Sequence, residues 1–236
     1  MPGTYNPTMG SLIVTGTGTN VGKTHVSAIL VSLFAQAGKR TAYYKPYQSG
    51  VYHDGKRHVI PDVDFIKRHS PLSASDIHVT YALTPPLSPF HAAQAMGVAV
   101  TSTEVARTAA SLSTAYDSLV IEGAGGLYTP ILSNYFFIDL FKELAMPVVL
   151  VADASLGAIN STLLSCEALC HHGIKIALVV LNRTRTDDDG SESHACSFLS
   201  DQIKPTPVFL LPHMSGRLPI REQLSSLDCS LMVSLA

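Results

Sequence analysis

Gly16-Thr17-Gly18-Thr19-Asn20-Val21-Gly22-Lys23-Thr24 is entered from the apolar run Leu12-Ile13-Val14 and leaves into an apolar-periodic segment that reaches Gln36. A strand that turns sharply into a helix aims several backbone N–H groups and the positive end of the helix dipole at one spot, where polyphosphate oxygens are stabilised. The stretch therefore reads as a phosphate-binding loop. Lys23 adds a full charge, and Thr24 puts a hydroxyl on the first helical turn, from which such sites reach a magnesium ion bridging the phosphates. The general pattern asks for glycine five residues before Gly22, where Thr17 stands; Gly16 lies one further back, so the loop is one residue longer.

Outward from this loop, apolar β-type runs alternate with helical patterns. The first strand covers 12–15 and its helix 22–36; further strands are expected at 41–45, 118–122, 147–152, 174–181 and 208–211. Such alternation predicts an α/β fold with a mostly parallel central sheet flanked by helices, and ligands collect at the carboxyl ends of its strands. Gly38 and Gly173 are placed to end helices. The run Thr84-Pro85-Pro86-Leu87-Ser88-Pro89 continues neither a helix nor a central strand and reads as a surface connection into a short helix.

The composition suits that fold: 236 residues, 46% apolar and 14% charged, predict one domain over 11–236 behind a loose lead-in over 1–10. Net charge is −2 with no long basic cluster, which argues against a nucleic-acid groove or a polybasic membrane patch. No apolar run is long enough to span a bilayer and the opening residues lack a signal-peptide layout, so a cytoplasmic location is expected. The four cysteines make no disulfide framework. Cys166 and Cys170, followed by His171 and His172, raise a metal site, but zinc sites usually pair ligands from separate hairpins or turns. The cysteines are read instead as small buried residues on a helix face.

Polar residues at other strand ends are the candidates for chemistry. The second strand runs into Lys45-Pro46-Tyr47-Gln48-Ser49-Gly50, which offers a cation, a hydroxyl and an approachable backbone. Glu122-Gly123-Ala124-Gly125-Gly126 places a carboxylate at a strand end, followed by glycines that admit a ligand, a suitable place for magnesium. Asp62 and Asp64 lie before or within a helical turn, one as a cap and one as a metal ligand. Asp153 and Asn182-Arg183 follow later strands, where an asparagine amide supplies a paired donor and acceptor. The acidic run Asp187-Asp188-Asp189 reads as a solvated turn without chemistry.

Taken together these segments resemble the dethiobiotin synthetase family. The ordered matches are Gly-Thr-Gly-Thr-x-Val-Gly-Lys-Thr at 16–24, Lys-Pro-x-x-Ser-Gly at 45–50, an Asp-Val step at Asp62, Glu-Gly-Ala-Gly-Gly at 122–126 and Leu-Gly-x-x-Asn at 156–160. They extend from Leu12 to about Pro212, and the longer phosphate loop also fits this family. The resemblance implies a three-layer P-loop NTPase fold and an ATP- and magnesium-dependent reaction in which 7,8-diaminononanoate and carbon dioxide give dethiobiotin, ADP and phosphate. A carbamate forms on one amine, attacks the γ-phosphoryl group, and the resulting carbamic-phosphoric anhydride is closed by the second amine.

Carried over position by position, the resemblance implies Thr24, Asp62 and Glu122 as magnesium ligands. It implies phosphate contacts from the loop residues Thr17, Gly18, Thr19, Asn20, Val21, Gly22 and Lys23, with Lys23, Lys45 and Thr19 catalytic. Ser49 and Lys45 face the diamine and carbamate, and Gly125 lies near substrate and nucleotide. Asn182 and Pro212 border the adenine. A homodimer is implied, with Asn160 reaching the substrate carboxylate in the partner subunit's site. The chain departs from the family at Asn20, where many relatives carry glutamate, and at His91, one place later than the usual Ser-Pro-His order; His91 is given no role. Two other readings fit part of the pattern: the ATP domain of a cobalamin-type amidoligase, whose extra glutaminase-like domain this length leaves no room for, and a partitioning ATPase switch. The switch class usually places a further lysine early in the loop, where Thr17 and Gly18 stand.

Overall fold

The computed structural model describes residues 10–185 and 190–214, with Ile220, Met232 and Leu235. The acidic run 187–189 and the lead-in before Gly10 lie outside the described residues.

Among the described residues seven strands form one sheet: β1 (Leu12–Gly16), β2 (Thr41–Ser49), β5 (Ile77–Leu83), β6 (Ser118–Glu122), β9 (Val148–Asp153), β10 (Ile176–Asn182) and β11 (Val208–Leu211). Their order is β11-β10-β9-β1-β6-β2-β5 and every neighbouring pair is parallel. Two small antiparallel hairpins lie apart from it, β3 (Tyr52–His53) with β4 (His58–Val59), and β7 (Pro130–Leu132) with β8 (Tyr135–Phe136). The helices are α1 (Lys23–Gln36), α2 (Pro61–His69), α3 (Pro89–Met96), α4 (Ser102–Ala115), α5 (Phe137–Leu144), α6 (Ala158–His171) and α7 (Ser191–Gln202).

Strict side-chain alternation along the central strands builds two apolar layers. Leu12, Val14, Val120, Val149 and Val151 face α1 and α2, whereas Ile13, Leu119, Ile121, Val148 and Leu150 face α3 to α6. The result is a three-layer α/β/α architecture. Helix α1 is covered nearly all round, with ten of its residues buried from Lys23 to Phe34. It lies against the sheet beside β1, and Met232 and Ile220 belong to the same apolar layer.

Two expectations are corrected. The second strand does not stop at Lys45 but continues through Pro46 to Ser49, and its added length pairs with β5, a strand that was not anticipated. β5 was missed because its residues are half-buried at the sheet edge and include His78 and Thr80 among the apolar ones. Proline is tolerated within β2 because Pro46 has no partner in the β2/β5 register. The other strand ends lie within two residues of expectation, and Gly38 and Gly173, with φ of 78° and 70°, follow the ends of α1 and α6.

Candidate active site

The loop between β1 and α1 is shaped by glycine where no other residue fits. Gly22 has φ 95°, and a Cβ there would lie 2.0 Å from Asn182 Nδ2. That amide, at the end of β10, donates to the Val21 carbonyl at 3.0 Å. Asn182 thus buttresses the loop from behind. Lys23 is buried and folds back to donate to the Gly18 carbonyl at 2.7 Å. Burial, and then the nearby Lys45 ammonium, push its pKa down to about 8.

Glu122 lies at the centre of the cluster, 0% exposed at the end of β6. Alternation with Val120 points it to the α1 face. There its Oε1 accepts from Thr24 Oγ1 at 2.8 Å and from Lys45 Nζ at 2.7 Å, while Oε2 accepts from the Tyr43 hydroxyl at 2.9 Å. Lys45 also lies 2.6 Å from Asp62 Oδ2 and donates to the Gly123 carbonyl at 3.0 Å. Burial opposes a charge on Lys45, but Glu122 and Asp62 outweigh it and hold its pKa above the usual lysine value. Burial, followed by Glu122, raises the Tyr43 pKa well above its ordinary value, so Tyr43 remains a neutral donor.

Asp62 and Asp64 part company here. Neither caps α2, whose N-cap Ile60 has no side-chain bond. Asp62 meets Lys45, whereas Asp64 accepts from Arg57 Nη1 through both oxygens at 3.0 Å. Thr24, Asp62 and Glu122 together form an all-oxygen donor set of one hydroxyl and two carboxylates, the chemistry magnesium prefers. A cation, the Lys45 ammonium, already contacts both carboxylates, so the pair has the charge and spacing to hold one.

These groups lie on one wall of a cavity of about 1790 Å³. It takes in Thr17, Gly18, Thr19 and Asn20, then Ser49 at the end of β2 and Gly50 after it, and runs past Gly125 to α6 residues such as Leu164. Gly125, at φ 67°, has no room for a Cβ beside Thr129 Oγ1 (2.3 Å), and Gly126 lies against the Gly16 and Thr17 carbonyls, so the two loops pack backbone to backbone. Val21 is buried beneath the loop and does not line the cavity. Asn182, Pro212 and Asn160 are outside its lining as well: Pro212 is exposed after β11, and Asn160 is exposed on α6. His91 is exposed and pairs with Ser88 Oγ at 2.7 Å. The cysteine reading is half corrected. Cys166 is buried, but Cys170 is exposed, and among the described residues these cysteines join no cluster of three or more His, Cys, Asp or Glu side chains.

Sequence reasoning missed Tyr43 and Gln48. Tyr43 was legible in principle, because two residues before Lys45 on a strand is the same face. Gln48 was not, because the alternation of faces along β2 breaks between Tyr44 and Tyr47.

Residues 10–226 match a family model described as an AAA domain. The chain is 36% identical over 208 residues to the ATP-dependent dethiobiotin synthetase BioD of Anaeromyxobacter dehalogenans, an alignment covering 86% of this chain and 90% of that protein. It is 39% identical over 173 residues to the protein of the same name from Fusobacterium nucleatum, covering 73% and 78%. Among solved structures, the apo McdA of Cyanthece superposes with TM-score 0.61 at 15% identity over 96% of this chain and 97% of that one. The septum site-determining protein MinD of Pyrococcus horikoshii, complexed with Mg-ADP, gives 0.58 at 13% identity over 96% and 94%. At those identities the structural likeness speaks for the fold alone.

Proposed function

The chain belongs to the ATP-dependent dethiobiotin synthetase family, and on that premise we propose how its residues divide the work of closing a ureido ring on 7,8-diaminononanoate. The activity is that of an ATP-dependent ligase of biotin biosynthesis, with magnesium as the usual companion of the nucleotide. The observation that carries the assignment of residues is the meeting of Thr24, Lys45, Asp62 and Glu122, from four separate segments, beside the 16–24 loop.

In this reading the backbone N–H groups of 17–23 and the start of α1 hold the triphosphate, with Thr19 and Lys23 touching the phosphates. Thr24, Asp62 and Glu122 hold magnesium, which when bound neutralises phosphate charge and aligns the γ-phosphoryl group. Glu122 and Gly125 also border the nucleotide, while Asn182 and Pro212, at the far side of the loop, border its adenine. Ser49 and Lys45 face the carbamate, and Gly125 brings backbone near the substrate chain.

The carbamate and the γ-phosphate are both anions, so attack requires cations between them. Lys45, held charged by its carboxylates, and Lys23 supply them by position and charge rather than by proton transfer. Lys23, with its pKa near 8, remains mostly protonated at neutral pH. The chain is one domain over 11–236 and acts as a homodimer, Asn160 reaching the partner's site from α6. In support, Asn160 is exposed outside the lining of its own cavity, near the fully exposed Leu156. A cytoplasmic location accords with this soluble-substrate chemistry; among the described residues no helix is long and apolar enough to cross a membrane.

The test is direct. Purified protein given diaminononanoate, bicarbonate and magnesium-ATP is expected to release phosphate only when the diamine is present, with dethiobiotin found by mass spectrometry. Phosphate release indifferent to the diamine, or stimulated by DNA or lipid, overturns the reading in favour of a switch.

A further inference from the structure

Gln48 is a buried side chain on the cavity wall whose amide is half used. Its Nε2 donates to the Ser49 carbonyl at 2.9 Å, while Oε1 is buried without a hydrogen-bond partner among the described residues. Buried acceptors in folded proteins nearly always have partners, and an orphan beside a cavity points to a missing donor.

The backbone shows why it is there. Ala42 and Tyr44 face the α3 to α6 layer, so unbroken alternation would send residue 48 into that layer and Tyr47 to the opposite side. Tyr47 instead packs in the same layer as Tyr44, stacked on Tyr81 with ring centroids 5.2 Å apart. The alternation of faces therefore slips by one between Tyr44 and Tyr47, although the β2/β5 register runs on unchanged across Pro46. The slip turns Gln48 to the wall that also carries Lys45, and both line the cavity.

We propose that Gln48 is a substrate-positioning residue whose Oε1 accepts a hydrogen bond from an amine N–H of the diamine, beside the Lys45 and Ser49 end of the cavity. This rests on the reading of the cavity as the diamine site. The cavity wall there sets Lys23 and Lys45 against Asp62 and Glu122, so no net charge is left over to hold an ammonium. A neutral acceptor suits an amine that must shed its proton before it can take up carbon dioxide or close the ring, since it holds the N–H without stabilising the charged form as a carboxylate would.

The experiment compares wild type with Gln48→Met, which keeps the volume and removes the acceptor. It measures the KM for diaminononanoate, the KM for ATP, and inhibition by the two mono-amino analogues, 7-aminononanoate and 8-aminononanoate. The diamine KM should rise roughly tenfold, the size of one hydrogen bond to a substrate, with the ATP KM unchanged. Inhibition by one monoamine should weaken equally, and by the other not at all. A wild-type enzyme that makes dethiobiotin, with a Gln48→Met variant matching it in diamine KM, overturns the proposal and leaves the function standing. Equal weakening for all three ligands also overturns it, because packing rather than an amine contact would be responsible. A wild type that makes no dethiobiotin overturns both. If Gln48→Met fails to bind nucleotide, Gln48→Ala carries the same comparison.

Discussion

Lys45 Nζ lies 2.7 Å from Glu122 Oε1 across 77 residues of sequence, and both groups are almost completely sealed from solvent. Such a pair is stabilising only as a pair. Taking away one member leaves the other as an uncompensated buried charge, typically at a cost of about 3–5 kcal/mol.

Lys45→Ala should therefore unfold at lower temperature than wild type, and magnesium should recover more of that loss in the variant than it adds to wild type, because the two carboxylates are left without their cation. Dethiobiotin formation should vanish while nucleotide binding at 16–24 largely persists. Thermal melting with and without magnesium, together with a nucleotide titration, checks this. Loss of nucleotide binding alone would show that Lys45 is wrongly placed.

Asp62 and Asp64, two residues apart on α2, should behave oppositely. Asp62→Asn removes a partner of Lys45 and a proposed metal ligand, so turnover should fall by two orders of magnitude or more, about 2.7 kcal/mol in the barrier. Asp64→Asn breaks only the pair with the exposed Arg57, which solvent screens, and should keep near-normal stability and turnover. Steady-state rates for the two variants decide between them, and a reversed order would exchange their roles.

Gly22→Ala should impair nucleotide binding and lower stability by more than about 1 kcal/mol, since alanine is disfavoured at φ 95° and its Cβ would strike Asn182. Adding Asn182→Ala removes the collision but not the backbone strain, so the double variant should recover only in part. Complete recovery in a melting experiment would mean that the collision alone matters.

Thiol chemistry should separate the two cysteines of α6. Burial, with Cys170 nearby, raises the Cys166 pKa from 9 to about 11, so its thiolate is scarce in the native protein, whereas Cys170 is exposed. Peptide mapping after brief alkylation at pH 8 should find Cys170 modified long before Cys166. Because the folded state disfavours the Cys166 thiolate, this group contributes full stability below the unfolded pKa near 9. That contribution is lost as pH rises from about 9 through 11. Cys166→Ser should flatten the alkaline decline in melting temperature, and an unchanged slope would contradict it.

Much of this molecule was legible from residues alone. The phosphate loop, Glu122 at a strand end and the parallel order of the sheet follow from local rules: glycine where φ is positive, alternation on strands, and apolar runs buried on both faces. Those rules act between near neighbours, so a sequence displays them. Edge strand β5 escaped because an edge is only half buried and its apolar signal is diluted.

What the sequence determined by itself was which backbone shapes form and which face of each strand a residue takes while alternation holds. Only the tertiary structure chose Asp62 over Asp64 as the partner of Lys45, put Asn182 behind the loop, and turned Gln48 toward the cavity at the slip beside Pro46. The physical reason is that ion pairs and hydrogen bonds depend on distances of about 3 Å between side chains far apart in the chain. Those distances exist only after the strands have been laid side by side.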